Sequence, residues 1–120
     1  MRSYKELIVW QRAMDLVIEI YQETTSFPKD ELFGLVIQMK RAAVSIPSNI
    51  AEGYGRKTTA DFIHFLIIAR GSLYELETQL EIAKSLNFIA PDKFQPKLDK
   101  CLEIEKMLNS LIASLNRKSK

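Results

Sequence analysis

The chain predicts an all-α fold, an antiparallel up-down-up-down four-helix bundle with long helices, and three observations carry that reading. The first is the stretch from 62 to 83, where Phe62, Leu66, Ala69, Leu73, Leu76, Leu80 and Ala83 recur at an unbroken 4-3-4-3-4-3 spacing. Such spacing sets these side chains on one narrow stripe of a single helix, the pattern of a seam packed lengthwise against other helices. At about 1.5–3 kcal/mol per fully buried large apolar side chain, that seam is a principal source of stability. The second is that three other stretches repeat their apolar residues with the same helical period. The third is that the connections are short and marked by proline or glycine, so neighbouring helices run antiparallel.

The first helix is expected from about Lys5 to Thr25. Leu7, Trp10, Met14, Val17 and Tyr21 repeat at 3-4-3-4, and Ala13, Leu16 and Ile20 widen the face. Thr24-Thr25-Ser26 and Phe27-Pro28 end it, because a residue before proline avoids the helical region. Asp30 is the expected N-cap of a second helix, with Glu31 in its first turn. That helix carries Leu35, Met39, Ala42, Ala43, Ile46 and Ile50 and closes at Gly53 and Gly55. Pro47 lies inside it and predicts a kink or local strain without a clean break, since the periodicity resumes on the same face. Thr58, with Asp61 three residues on, caps the seam-bearing third helix, which is expected to end near Asn87. A fourth helix starts around Ala90-Pro91-Asp92 and carries Leu98, Cys101, Leu102, Leu108, Leu111, Ile112 and Leu115; Pro96 requires a helical start close by.

A length of 120 residues suits one domain spanning 1–120, with a basic tail from about Asn116. A domain of this size buries roughly two-thirds of its unfolded surface and can fold without metals or disulfides. Apolar residues make up 47% and charged residues 27%, an ordinary globular balance. The lone Cys101 cannot form an internal disulfide, and the segment from Met1 to Glu6 leads into an amphipathic stretch and not into a signal sequence, so a cytoplasmic location is expected. No apolar run approaches the ~18 residues of a membrane span. A net charge of +2 does not by itself announce nucleic acid.

The second helix is unusual. At 100° per residue, Gln38, Arg41, Ser45, Ser48, Asn49 and Glu52 fall within an arc of about 100°. The core stripe lies on one side of this polar strip, and a second apolar stripe of Phe33, Ile37, Val44 and Ala51 lies on the other. Either the wide face packs against two helices of one bundle or the second stripe meets another subunit. Ile63, Ile67 and Tyr74, which lie off the main seam of the third helix, favour a subunit interface. An antiparallel turn near Arg56 would also set Ala42 and Ala43 against Gly71 and Ser72, allowing close backbone approach, and bring Arg41 opposite Glu75. A guanidinium in such a zone needs an acceptor, so an Arg41–Glu75 pair is expected; the alternative is that Arg41 points into water.

Trp10 with Ala13, Ile20-Tyr21, Phe27-Pro28, Glu31, Gly34-Leu35, Gln38, the run from Arg41 to Ile46, the run from Ser48 to Gly53, Gly71-Ser72 with Glu75, and Gln79-Leu80 make up a recognisable set. Together they resemble the bacterial four-helix-bundle family named after proteins encoded in intervening sequences of 23S ribosomal RNA genes. The likeness covers nearly the whole chain and is most specific from Arg41 to Gly53. It implies a bundle that assembles into a homopentameric ring. It also implies kinship with the accessory proteins of diversity-generating retroelements, basic pentamers that bind nucleic acid and a reverse transcriptase. It supplies no biochemical activity, since the ribosomal label comes from gene location.

Catalytic and metal chemistry find little support. His64 is the only histidine and Cys101 the only cysteine, so multi-histidine and thiolate zinc sites are excluded. His64 reads as a surface or capping residue and Cys101 as a small core residue. Gly53-Tyr54-Gly55 lacks the spacing of a phosphate-binding or dinucleotide loop. Glu75/Glu77 and Glu103/Glu105 diverge around their helices, and the Glu-x-x-His pairs of a di-iron bundle are absent. No enzyme, cofactor or metal is expected.

The best binding candidate is the turn Gly53-Tyr54-Gly55-Arg56-Lys57. Tyr54 could stack on a base and Arg56 and Lys57 could contact phosphates, joined by Arg117, Lys118 and Lys120 of the tail. The plainer alternative is that the glycines end a helix, the tyrosine covers the bundle end and the basic pair is solvated. Two functions therefore stand: a non-enzymatic oligomer that binds RNA or DNA weakly with little sequence preference, or a protein–protein scaffold, such as an adaptor for a polymerase, with no direct nucleic-acid contact. Salt-sensitive retention of nucleic acid separates them.

Overall fold

The computed structural model describes residues 3–118. A 3-10 turn, Tyr4–Glu6, leads into α1 (Ile8–Thr24), and α2 (Ile37–Tyr54), α3 (Thr59–Ser85) and α4 (Pro91–Lys118) follow. They pack as an antiparallel bundle of 48 × 23 × 20 Å. The expected seam of α3 forms the centre of the core: Leu66, Ala69, Leu73, Leu76, Leu80 and Ala83 are fully buried, and Phe62 packs against them at the edge.

Thr58 caps α3 as expected, its Oγ1 accepting the Asp61 amide at 3.1 Å. At the other end Asn87 takes a left-handed φ of 62°. The Asn87 amide donates to the Lys84 carbonyl and the Phe88 amide to the Ala83 carbonyl, closing the helix in a Schellman turn.

Several expectations need correction. On α1 the buried residues are Val9, Ala13, Leu16, Val17, Ile20 and Thr24, whereas Met14 and Tyr21 are exposed. The helix packs on both α2 and α4, so the middle of its wide apolar arc turns inward, Met14 and Tyr21 are left at the surface, and Trp10 packs half-buried against the edge of the core. On α4 the core includes Phe94 and Ile104, and Leu102 is exposed. Asp30 does not cap the second helix. The chain passes through a 3-10 turn, Lys29–Glu31, and a π-helical turn, Leu32–Val36, broken at Gly34 (φ −110°, ψ −109°). The Glu31 carboxylate, not that of Asp30, accepts the Leu35 amide at 3.2 Å. Helix α2 then runs without a break through the buried Pro47.

The close helix approach also falls elsewhere. A Cβ on Gly71 would meet nothing within 4 Å, because Gly71 faces outward. A Cβ on Gly53 would lie 2.7 Å from Phe65 Cβ, so α2 and α3 pack closely at the turn end. The Ser45 and Ser72 hydroxyls, 2.8 Å apart, join the two helices near their middle. Arg41 and Glu75 are both exposed and no ion pair joins them. The small residues bury Ala42 and Ala43 but leave the charged tips in water, which removes the need for an acceptor within the chain.

Candidate nucleic-acid interface at one end of the bundle

The up-down-up-down order gathers residues distant in sequence. Arg70 Nη1 donates to Asn109 Oδ1 at 2.9 Å and the Tyr74 hydroxyl to Glu105 at 3.0 Å. These contacts fix an antiparallel α3–α4 register in which paired numbers total 179. Arg117 is therefore level with Phe62 and Lys118 with Asp61, in the first turn of α3. The turn before α3 supplies Arg56 and Lys57, so four of the candidate cationic residues share one end. Lys120 lies outside the described residues.

These side chains are not equivalent. Tyr54 is half-buried, with its ring edge-on to Phe62 at 6.1 Å between centroids and 89° between planes. It closes the end of the core and does not present an open stacking face. The Arg56 guanidinium sits 4.7 Å from the centre of the Phe65 ring and 3.4 Å from the Glu52 carboxylate. That ion pair is exposed and one helical turn long, worth about 0.3–0.5 kcal/mol, so it orients Arg56 without locking it. Lys57, Arg117 and Lys118 are exposed. The arrangement can hold an anion loosely.

The six interface candidates occupy the flanks. Phe33 is 89% exposed on the turn before α2; Val44, Ile67 and Tyr74 are exposed, and Ile37 and Ile63 are half-buried. Near Tyr74 the electrostatics are unbalanced. Its hydrogen bond to Glu105, then burial, raises the phenol above its ordinary pKa. Burial, and secondarily the Glu105 carboxylate, raises Glu77, whose Oε2 is buried without a hydrogen-bond partner. The Cys101 thiol is pushed up to about 12 by burial and by Glu77 and Glu19, which makes it unreactive. His64 is exposed, its ring edge against Phe65. Among the described residues no group of three or more His, Cys, Asp or Glu is placed to hold a metal, and no helix is long and apolar enough to cross a membrane.

Sequence reasoning missed a set of ion pairs between α1 and α4. Lys97 Nζ lies 3.0 Å from the Glu23 carboxylate, with both side chains only 11% exposed. Lys100 pairs with Glu19, and Arg12 with Glu103 at 3.0 Å. One signal was available: Phe94, Lys97, Cys101, Ile104 and Leu108 follow the 3-4-3-4 core spacing, which places a lysine among apolar residues.

The fold and its cationic end define a four-helix-bundle protein with exposed basic side chains gathered at one pole. The family model described as 23S rRNA-intervening sequence protein matches residues 5–110, and the chain belongs to that family. A crystal structure of a protein of unknown function from the S23 ribosomal protein family of Bacteroides thetaiotaomicron superposes with a TM-score of 0.82. That protein is 26% identical, and the match covers 88% of this chain and 96% of the other. No curated protein matches the chain.

Proposed function

We propose that this protein is a non-enzymatic homo-oligomer, a pentameric ring as the family resemblance implies, that holds RNA or DNA weakly and with little sequence preference at its basic pole. The observation that supports this most is the convergence of Arg56, Lys57, Arg117 and Lys118 on one end of the bundle by topology alone. The kinship with retroelement accessory proteins that the family resemblance implies points the same way. One chain carries a formal charge of +2, so five carry +10 and repeat the same modest site around an axis. Several weak contacts on one polymer then act together, and avidity exceeds single-site affinity by roughly 10²–10⁴. The inert Cys101 and the exposed, unassisted His64 support the non-enzymatic part of the reading.

Binding of a labelled single-stranded oligonucleotide, measured at low and moderate salt, tests the proposal. Affinity should fall steeply with salt, because phosphate contacts release counterions. Replacing Lys57, Arg117 and Lys118 by alanine should flatten that slope by about one unit per lost phosphate contact, with Arg56→Ala contributing less. No binding by the wild type at low salt would leave the second reading, a protein–protein scaffold, which the exposed apolar flanks favour.

A further inference from the structure

Two opposite faces of the bundle remain apolar in the single chain. On the α1–α2 face, two shallow depressions of about 330 and 300 Å³ share Val44 and form one groove. Trp10 and Met14 line its lower half, and Tyr21 and Ile37 its upper half. At the top stand Lys40 and Arg41, neither of them in an ion pair among the described residues; Lys40 lies 4.7 Å from the Tyr21 ring centre. Across the bundle, Ile63, Ile67 and Tyr74 form a ridge along the α4 side of α3. Glu77 and Glu105 stand at its top, with no cation paired to either among the described residues. A cationic groove and an acidic ridge thus back onto each other.

Their heights agree. The Ser45–Ser72 contact fixes an α2–α3 register in which paired numbers total 117. Lys40 is therefore level with Glu77, and Val44 lies within one residue of the level of Tyr74. Ile67 is level with Ile50, beside Ala51 at the foot of the groove. Two copies standing side by side and pointing the same way would match groove to ridge with no shift along the bundle axis. A contact between two different faces closes into a ring when the rotation closes without rise, and otherwise builds a filament.

We propose that the α3 ridge of one copy docks in the α1–α2 groove of the next, with Tyr74 against Val44 and with Glu77 and Glu105 facing Lys40 and Arg41. This deepens the oligomeric part of the function proposed above and rests on it. Arg41, unpaired within its own chain, finds its carboxylate on a neighbour. Glu77, half-buried and in no ion pair among the described residues, gains a cation.

Cysteine cross-linking of the full chain tests the arrangement, since the buried Cys101 stays out of the reaction. Val44→Cys and Tyr74→Cys, oxidised separately, should give no covalent dimer. Co-expressed, they should give a cross-linked pair, and the double variant a ladder ending at the mass found by light scattering. An assembled protein in which Val44→Cys links to itself would overturn the pairing of faces while leaving the assembly intact. A single-chain mass at micromolar concentration would remove the assembly itself and leave the groove to a foreign helix. Arg41→Glu or Glu105→Arg alone should weaken assembly about tenfold or more, and the two together should recover most of the loss. No recovery would overturn the charge matching.

Discussion

The α1–α4 seam and the α1–α2 groove share a helix, yet they treat charge in opposite ways. Along α1–α4, Glu23, Glu19 and Arg12 each meet an opposite charge on α4, and the innermost pair is nearly buried. Among the described residues, Lys40 and Arg41 along the groove meet none, and on the far side Glu77 and Glu105 are likewise unmatched by a cation. Tyr21, Val44, Ile67 and Tyr74 are exposed on the flanks whose charges are unmatched, although other apolar residues such as Ile8 and Ile18 are exposed elsewhere. A seam that is complete within one chain satisfies its ions there. The docking of copies proposed above falls where exposed apolar residues and unpaired ions coincide.

The largest effect should come from breaking the completed seam. Lys97→Ala leaves Glu23 buried without its partner and should cost about 3–5 kcal/mol, because an uncompensated interior charge is expensive. Arg12→Ala, at a pair whose side chains are 50% and 56% exposed, should cost no more than about 1 kcal/mol. Urea denaturation of the two variants measures both; equal losses would show that burial does not set the value of these pairs.

Two glycines sharpen the comparison from the side of packing. Gly53→Ala drives a methyl into Phe65 at the tight end of α2–α3 and should cost about 1–3 kcal/mol. Gly71→Ala, in a helix interior with open space beyond, should stabilise the fold by about 0.5–1 kcal/mol. Thermal melts that reversed these signs would mean that the register between the helices is different.

The smallest effect is a pH dependence, and it separates the single chain from its assembly. Glu77 has a raised pKa in the folded chain, so the native state holds its proton more tightly than the unfolded state does. The associated stability is present below the ordinary carboxylate range and is lost as pH rises through the raised value. In a chain kept monomeric by Val44→Glu, Glu77→Gln should therefore stabilise at neutral pH, with the gain vanishing in acid. In the assembled protein the same replacement should weaken association. Denaturation and light scattering across pH would show the two opposite signs.

Much of the fold was legible in the sequence because it rests on periodicity. The α3 stripe from Leu66 to Ala83 specified a buried seam wherever it packed, and Thr58 with Asp61 marked the start of its helix through local hydrogen bonding. Where a helix was apolar over a wide arc, periodicity located the arc but not its centre. That is why Tyr21 and Met14 came out at the surface while Ala13 and Leu16 went inside. The basic pole was half legible: the Arg56-Lys57 turn and the tail were visible as charges, but their proximity followed only from antiparallel packing.

The amino-acid sequence by itself determined four amphipathic helices, their boundaries near Pro28, Gly55 and Pro91, and the order in which they pack, since these depend on neighbours a few residues apart. Tertiary structure alone decided that Lys97 would sink beside Glu23, that Arg41 would miss Glu75, and that Gly53 would face a neighbouring helix while Gly71 faces outward. Each of those outcomes turns on the register and rotation of one helix against another. A shift of a single residue swings a side chain by 100°, and only the simultaneous packing of all four helices fixes that angle.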